Sequence, residues 1–283
     1  MEKCACVVLN YNDHNTTINL LKMIENYHIL DYIVVVDNCS TDDSYEVLKQ
    51  NESERIKCIR SDKNGGYGYG NNYGITYAYN RLNCRYVILS NPDVAFNEEY
   101  LIHCLTVIKD RNLACISGIQ LDIQGKPIEE MAWKIPTALQ YAVMGTRLEK
   151  KYNCSYADEE LNNQFNYVEC LPGAMIIYDA EKFLDAGGYD ENMFLYCEET
   201  AIAIRLKNKG YKSGLTKEVA YKHEHSASIN KSIKSLREQT KIMFKSRNYL
   251  MKEYLQSNLF EKIIAGICHT YILYKLNNKV YLK

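Results

Sequence analysis

The 283 residues carry 34 Lys and Arg against 35 Asp and Glu, a formal charge of -1, which excludes the overall basic excess of a nucleic-acid binder. Eleven cysteines are scattered without a C-x-x-C pair, which excludes a small disulfide scaffold and leaves reduced thiols as the expectation. This length is enough for one large α/β domain, with or without a helical appendage.

The start, "MEKCACVVLN", runs into a strand from Cys4 to Asn10 without the charged, apolar and small-residue succession of a signal peptide, so a cytoplasmic protein is expected. A helical pattern at 15–27, a strand "YIVVVDN", a helix at 44–50 and a strand "RIKCIR" follow. Helical spacing at 71–81, the strand "YVILSN", a helix at 98–109 and the strand "LACISGI" continue the alternation. This succession predicts a mostly parallel sheet with helices on both faces.

Residues 122–127 read as a turn, and 129–166 lack clear periodicity while carrying Trp133 and several tyrosines, a composition suited to a binding loop. The strand "AMIIYDA" precedes helices at 181–186 and 199–209, separated by Gly187-Gly188. Beyond Lys231 the pattern is helical to the end, giving an expected division into a catalytic domain at 1–228 and a helical extension at 229–283.

The charge-free run from Ile263 to Tyr274 is too short for a spanning helix, which needs ~20 apolar residues. Phe260, Ile263, Ile264, Ile267, Tyr271 and Tyr274 recur at three- and four-residue intervals beside Lys262, Lys275 and Lys279. The face either packs on the main domain, meets a second copy in a homodimer, or docks peripherally on a membrane surface.

Several polar residues stand where chemistry is expected. Asp37 ends the second strand and either accepts the imide N–H of uracil or thymine or caps the following turn before Ser40 and Thr41. The glycine-rich run from Asn64 to Gly74, including Gly65 and Asn71, opens a helix whose free N–H groups either face a phosphate or simply make a sharp turn. It matches neither G-x-G-x-x-G nor a P-loop.

"YVILSNPDV" places Asn91 and Asp93 just beyond a buried strand, where α/β enzymes bind ligands. Their oxygens suit Mn²⁺ or Mg²⁺, although Asn-Pro-Asp is also an ordinary turn. His223 offers an imidazole ligand from across the same cleft, with His225 as its competitor. Glu198 and Glu199 open a helix, where the dipole alone explains acidic residues or where one serves as general base. Lys245, Arg247 and Asn248 either meet an anionic acceptor or form a solvated helix face.

In order and spacing, "VVLNYN", "VVVDNCSTDDS", "NGGYGYGNNYGI", "ILSNPDV", "LPGAMIIYDAEKFLDAGGYDENMFLYCEET", "RLKNKGY" and "HEHSAS" together resemble the family 2 glycosyltransferases, especially bacterial rhamnosyltransferase-like members. The resemblance spans about Cys4 to Ser228 and implies a GT-A fold, a nucleotide-diphosphate sugar donor and inversion at the anomeric carbon. By this resemblance Asn10 and Asp37 contact the nucleotide, with Asn64, Gly65, Asn71 and Asn91 completing the donor site. Asp93 and His223 hold the metal, and Glu199 is the catalytic base. Glu198, Trp133 and Arg247 are assigned to the acceptor side.

Two departures stand out: Glu199 is one methylene longer than the usual Asp, and Ala201 replaces a second acidic residue of many relatives. The expected acceptor is a surface polysaccharide or lipid-linked oligosaccharide, and the expected donor a dTDP- or UDP-sugar, rhamnose first. Alternatives from other classes are a sugar-nucleotide nucleotidyltransferase and a partner subunit that keeps the fold without turnover.

Overall fold

A computed structural model describes residues 2–224 and 235–280. Its first half is built as the sequence predicts. β-Branched and apolar runs form β1 (Lys3–Asn10), β2 (Tyr32–Asp37), β3 (Ile56–Arg60) and β4 (Cys84–Ser90), all mutually parallel in the order β3-β2-β1-β4.

Successive residues point to opposite faces of the sheet, so each strand feeds two cores. Cys4, Cys6 and Val8 join Leu20, Leu21 and Ile24 of α1 (His14–Ile24), Leu48 of α2 (Ser44–Lys49) and Leu101 and Leu105 of α4 (Glu98–Asp110). Ala5 and Val7 join Ile75 and Ala78 of α3 (Tyr67–Leu82) on the other face. Helix α4 starts where Asn97 accepts the Tyr100 N–H at 3.0 Å, leaving Glu98 and Glu99 in the dipole-favoured first turn.

Helix α3 begins inside the glycine-rich run, four residues before the expected start. The reason is packing: a Cβ at Gly74 would lie 2.5 Å from Val7 Cγ1 and 2.7 Å from Val36 Cγ2, so the helix lies closer to the sheet than any side chain permits.

The second half departs from a purely parallel plan. After the two-residue β5 (Val94–Ala95), β6 (Cys115–Leu121) and β9 (Ser213–His223) run parallel to each other, while β8 (Met175–Asp179) inserts antiparallel between β4 and β6. β5 and β7 (Phe165–Val168) pair antiparallel with β9, completing a nine-stranded mixed sheet.

The segment read as aperiodic contains β7 and the six-residue α5 (Ala138–Val143), whose capping box joins Thr137 and Gln140. Elements this short show no period to read. Helices α6 (Ala180–Asp185) and α7 (Glu198–Asn208) flank the sheet. Helices α8 (Leu236–Glu253) and α9 (Leu259–Val280) lay Leu250, Met251 and Ala265 against Tyr141, Ala142, Cys197 and Ala201. All eleven cysteines are free thiols. Among the described residues no helix is long and apolar enough to cross a membrane.

Candidate active site

Three parallel strands end in one polar row. Asn10, Asp37 and Arg60 are successive register partners across β1, β2 and β3, at the carboxyl edge where an open α/β sheet binds ligands. The buried Asp37 carboxylate accepts from Asn10 Nδ2 at 3.2 Å and Ser40 N at 3.1 Å, and pairs with Arg60 Nε at 3.4 Å. The Ser40 contact is the turn cap the sequence allowed. Arg60 was not foreseen, although it ends its strand just as Asp37 does.

Asn38 ties this row to the glycine-rich turn, donating to Asn64 Oδ1 and to the Gly66 carbonyl, both at 3.1 Å. Gly66 N–H also donates to Asn64 Oδ1, at 3.2 Å. Gly65 N–H is taken by the Lys63 carbonyl at 3.1 Å, and Tyr67 N–H by the Phe194 carbonyl at 2.9 Å. The expectation of free N–H groups is therefore corrected at these three positions, because the turn and the loop before α7 consume them. Asn71 lies buried in α3, and its Nδ2 has no partner among the described residues.

Beyond β4, Asn91 N–H donates to the Ala174 carbonyl at 2.9 Å. Two residues on, Asp93 Oδ1 stands 3.2 Å from His223 Nε2, because β5 pairs Val94 directly with His223. Two ligands at right angles, each ~2.1 Å from one octahedral ion, sit ~3 Å apart, so this pair fits Mn²⁺ or Mg²⁺ with one hard oxygen and one imidazole.

His223 Nδ1 lies 3.2 Å from Gln120 Nε2, and Gln120 Oε1 accepts the Tyr221 hydroxyl at 2.9 Å, which fixes the ring. Nothing in the sequence marked Gln120 or Tyr221, since β6 and β9 meet only through the fold. His225 lies outside the described residues. Among the described residues the three-residue cluster with metal-ligand spacing is instead His14, Asp42 and Asp43, mostly exposed at the surface.

Helix α7 is preceded by Tyr196 and Cys197, both at positive φ (72° and 73°), a conformation costly for non-glycine residues and concentrated at functional sites. This turn presents two different carboxyls. Glu198 is 2% exposed and its Oε1 has no partner among the described residues. Burial, then the neighbouring Glu199 charge, push Glu198 well above the ordinary glutamate range. Burial also raises Glu199, opposed by N–H groups including that of Gly173. Both carboxyls are thus held above the ordinary glutamate range, Glu198 with its neighbour's charge as an added cause.

Glu199 lies against the loop between Cys170 and Ala174. A Cβ at Gly173 would fall 2.5 Å from Glu199 Oε1, so the absent side chain is the space that the longer acid occupies. Gly173 is bonded from the other side by the Tyr67 hydroxyl, at 2.7 Å to its carbonyl. Because Ala174 binds Asn91, one short loop joins Glu199 to the end of β4. Gly173→Ala should displace the Glu199 carboxylate; were Glu199 the base that the family resemblance implies, kcat would fall about 100-fold, as a ~1 Å misplacement can cost. Steady-state kinetics with nucleotide affinity measured alongside checks this, and an unchanged kcat would refute the packing role.

Trp133 stands beside the first turn of α7, its Nε1 3.4 Å from Thr200 Oγ1, which also bonds the Tyr141 hydroxyl at 2.9 Å. Ala201 faces the apolar contact with α8 and α9, so an acid there would be buried among hydrocarbon. Arg247 is 7% exposed, donating to the Met144 carbonyl at 3.1 Å and lying 5.9 Å from the Tyr141 ring centroid. The solvated-face reading holds for Lys245 and Asn248, which are exposed, and fails for Arg247. The latter turns inward where α5 and α8 meet.

Residues 5–169 match the family model described as glycosyl transferase family 2. The chain belongs to that family. It is 26% identical over 214 residues to the low-salt glycan biosynthesis hexosyltransferase Agl10 of Haloferax volcanii, covering 76% of this chain and 64% of the relative. It is 21% identical over 151 residues to the rhamnosyltransferase WbbL of Escherichia coli, covering 52% of this chain and 56% of that one. The chain thus spans less than two thirds of either curated relative.

The crystal structure of GalNAc-T7 with UDP, GalNAc and Mn²⁺ superposes with a TM-score of 0.61 at 16% identity, covering 80% of this chain and 44% of the other. That likeness is one of fold, and this family 2 chain has the GT-A fold with a C-terminal helical extension.

Proposed function

We propose that this chain is a metal-dependent inverting glycosyltransferase that moves a hexose from a nucleoside diphosphate sugar to a hydroxyl of a polysaccharide or lipid-linked oligosaccharide. The observation that carries this reading is the Gly173–Ala174 loop, which joins the Glu199 carboxylate to the strand end bearing Asn91 and Asp93. Family membership supports the same reaction class.

In this reading Glu199 takes the proton of the acceptor hydroxyl as that oxygen attacks the anomeric carbon from the face opposite the diphosphate. Burial and the adjacent Glu199 favour the neutral form of Glu198, which limits a second negative charge beside the base. Asp93 and His223 would hold the divalent ion, which would supply charge neutralisation to the departing diphosphate. Asn10, Asp37, Asn64, Gly65, Asn71 and Asn91 bind the nucleotide side of the donor. Trp133 lines the acceptor side, and Arg247 supports that side by holding the segment after α5.

Uracil and thymine offer the same imide to Asp37, so UDP- and dTDP-sugars are both donors in this reading. Rhamnose is the first sugar to test, on the similarity to WbbL. A thermal-shift screen of UDP, dTDP, GDP and their sugars, with and without Mn²⁺, tests the assignment. A ligand at a hundredfold its Kd adds about 2.7 kcal/mol of stability. The expected result is a metal-dependent rise in Tm for the pyrimidine diphosphates. No rise with either of them in the presence of Mn²⁺ would overturn the donor reading.

A further inference from the structure

Helix α9 is apolar on two sides. Ile264, Ala265 and His269 turn inward, whereas Leu259, Phe260, Ile263, Ile267, Tyr271 and Tyr274 form an outward stripe with 42% to 74% of each residue exposed. A helix apolar on two sides is normally covered on both, and the 16 residues from Leu259 to Tyr274 give this stripe a length of ~24 Å. Leu148, 51% exposed, adds to it from the segment after α5.

Cations flank the stripe. Lys262 and Lys275 project from α9, and Arg147, Lys150 and Lys151 from the neighbouring segment, all exposed. None of the five makes an ion pair among the described residues. Arg147, Lys150 and Lys275 share a cavity of about 440 Å³ between that segment and α9. The carboxylate there, Glu149, is turned onto the Gly145 N–H at 2.9 Å.

We propose that this face is a docking surface for an anionic phospholipid bilayer, with the apolar stripe entering the headgroup boundary and the cavity cations meeting lipid phosphates. Charge selects this occupant over a second copy of the chain. A twofold dimer places the same patch against itself, setting unpaired cations against cations, whereas an anionic membrane complements them.

The inner face of α9 packs, through Ala265, on the cluster containing Cys197 and Ala201, which bracket Glu198 and Glu199. Docking therefore brings the Glu199 end of the cleft near the bilayer. The consequence that a lipid-linked acceptor is presented there rests on the proposed activity, whereas the docking itself does not.

The test is co-sedimentation of the whole chain with vesicles of phosphatidylcholine alone and of phosphatidylcholine mixed with phosphatidylglycerol, at low and raised salt. The expected result is binding to the anionic vesicles only, weakened by salt. Lys150→Gln with Lys275→Gln should weaken it roughly 30-fold, taking each basic residue near the surface at its usual worth. Ile263→Ser with Ile267→Ser should weaken it about 10-fold or more. Unchanged melting and far-UV circular dichroism would show that both variants remain folded.

Two results would overturn the proposal. One is absence of binding to anionic vesicles. The other is a concentration-dependent dimer, seen by analytical ultracentrifugation, that the isoleucine pair abolishes and that vesicles do not displace. Because the assay reads no donor or turnover, its failure leaves the glycosyltransferase reading untouched, and failure of the donor screen leaves docking untouched.

Discussion

Glu199→Gln is expected to lose transfer by about 100- to 10,000-fold while retaining metal-dependent nucleotide-sugar binding, because the amide keeps the shape of the acid but takes no proton. The substitution is close to isosteric, and its carbonyl oxygen still accepts the Gly173 N–H. Glu198→Gln is the matched control: burial and the neighbouring Glu199 favour the neutral form of Glu198, so its amide should retain most activity.

The pH profile carries the same expectation with a definite sign. A base works ionised, and burial raises Glu199, so kcat should fall as pH drops through a point above the ordinary glutamate value of ~4.3. Single-turnover rates across pH, for the wild type and both variants, check the assignment. Near-normal transfer by Glu199→Gln would defeat it.

The second large effect is expected at Asp93. Asp93→Asn keeps the side-chain volume and the backbone bond from Glu224 N–H to the Asp93 carbonyl, 3.0 Å long, so the fold should persist. It removes the only anion of the Asp93–His223 pair. Disturbing even the outer partners of a metal ligand costs about 10- to 100-fold in metal affinity, so losing the carboxylate itself should cost about 100-fold or more. Titration calorimetry of Mn²⁺ in the presence of UDP reads this directly. A variant that still gains nucleotide affinity on adding Mn²⁺, to the same degree, would remove Asp93 from the site.

How far these residues were legible from the chain varies for physical reasons. Asp37 and Asp93 could be found because each follows a run of apolar residues, and a buried strand that stops at a carboxylate has few places to put it. Arg60 carries the same strand-end position but a weaker signal, since a basic residue after a strand is common at a surface. Gly173 gives no signal in the sequence, because its contribution is an absence of atoms, visible only where Glu199 packs beside it. The start of α3 was misplaced for a related reason: glycines read locally as a turn serve here as the thin side of a helix against Val7 and Val36.

Sequence by itself determined the α/β alternation, the expectation of parallel first strands, the polar strand ends and the family resemblance, because side-chain period and turn chemistry are local properties. Tertiary structure alone decided the pairs that join distant segments. The antiparallel β8 brings Ala174 to Asn91, and the pairing of β5 with β9 sets His223 against Asp93 across 130 positions of chain. The periodicity of a strand says which of its faces is buried. It does not say which strand lies beside it, because backbone hydrogen bonds are alike at every position and only the packed whole selects among the partners.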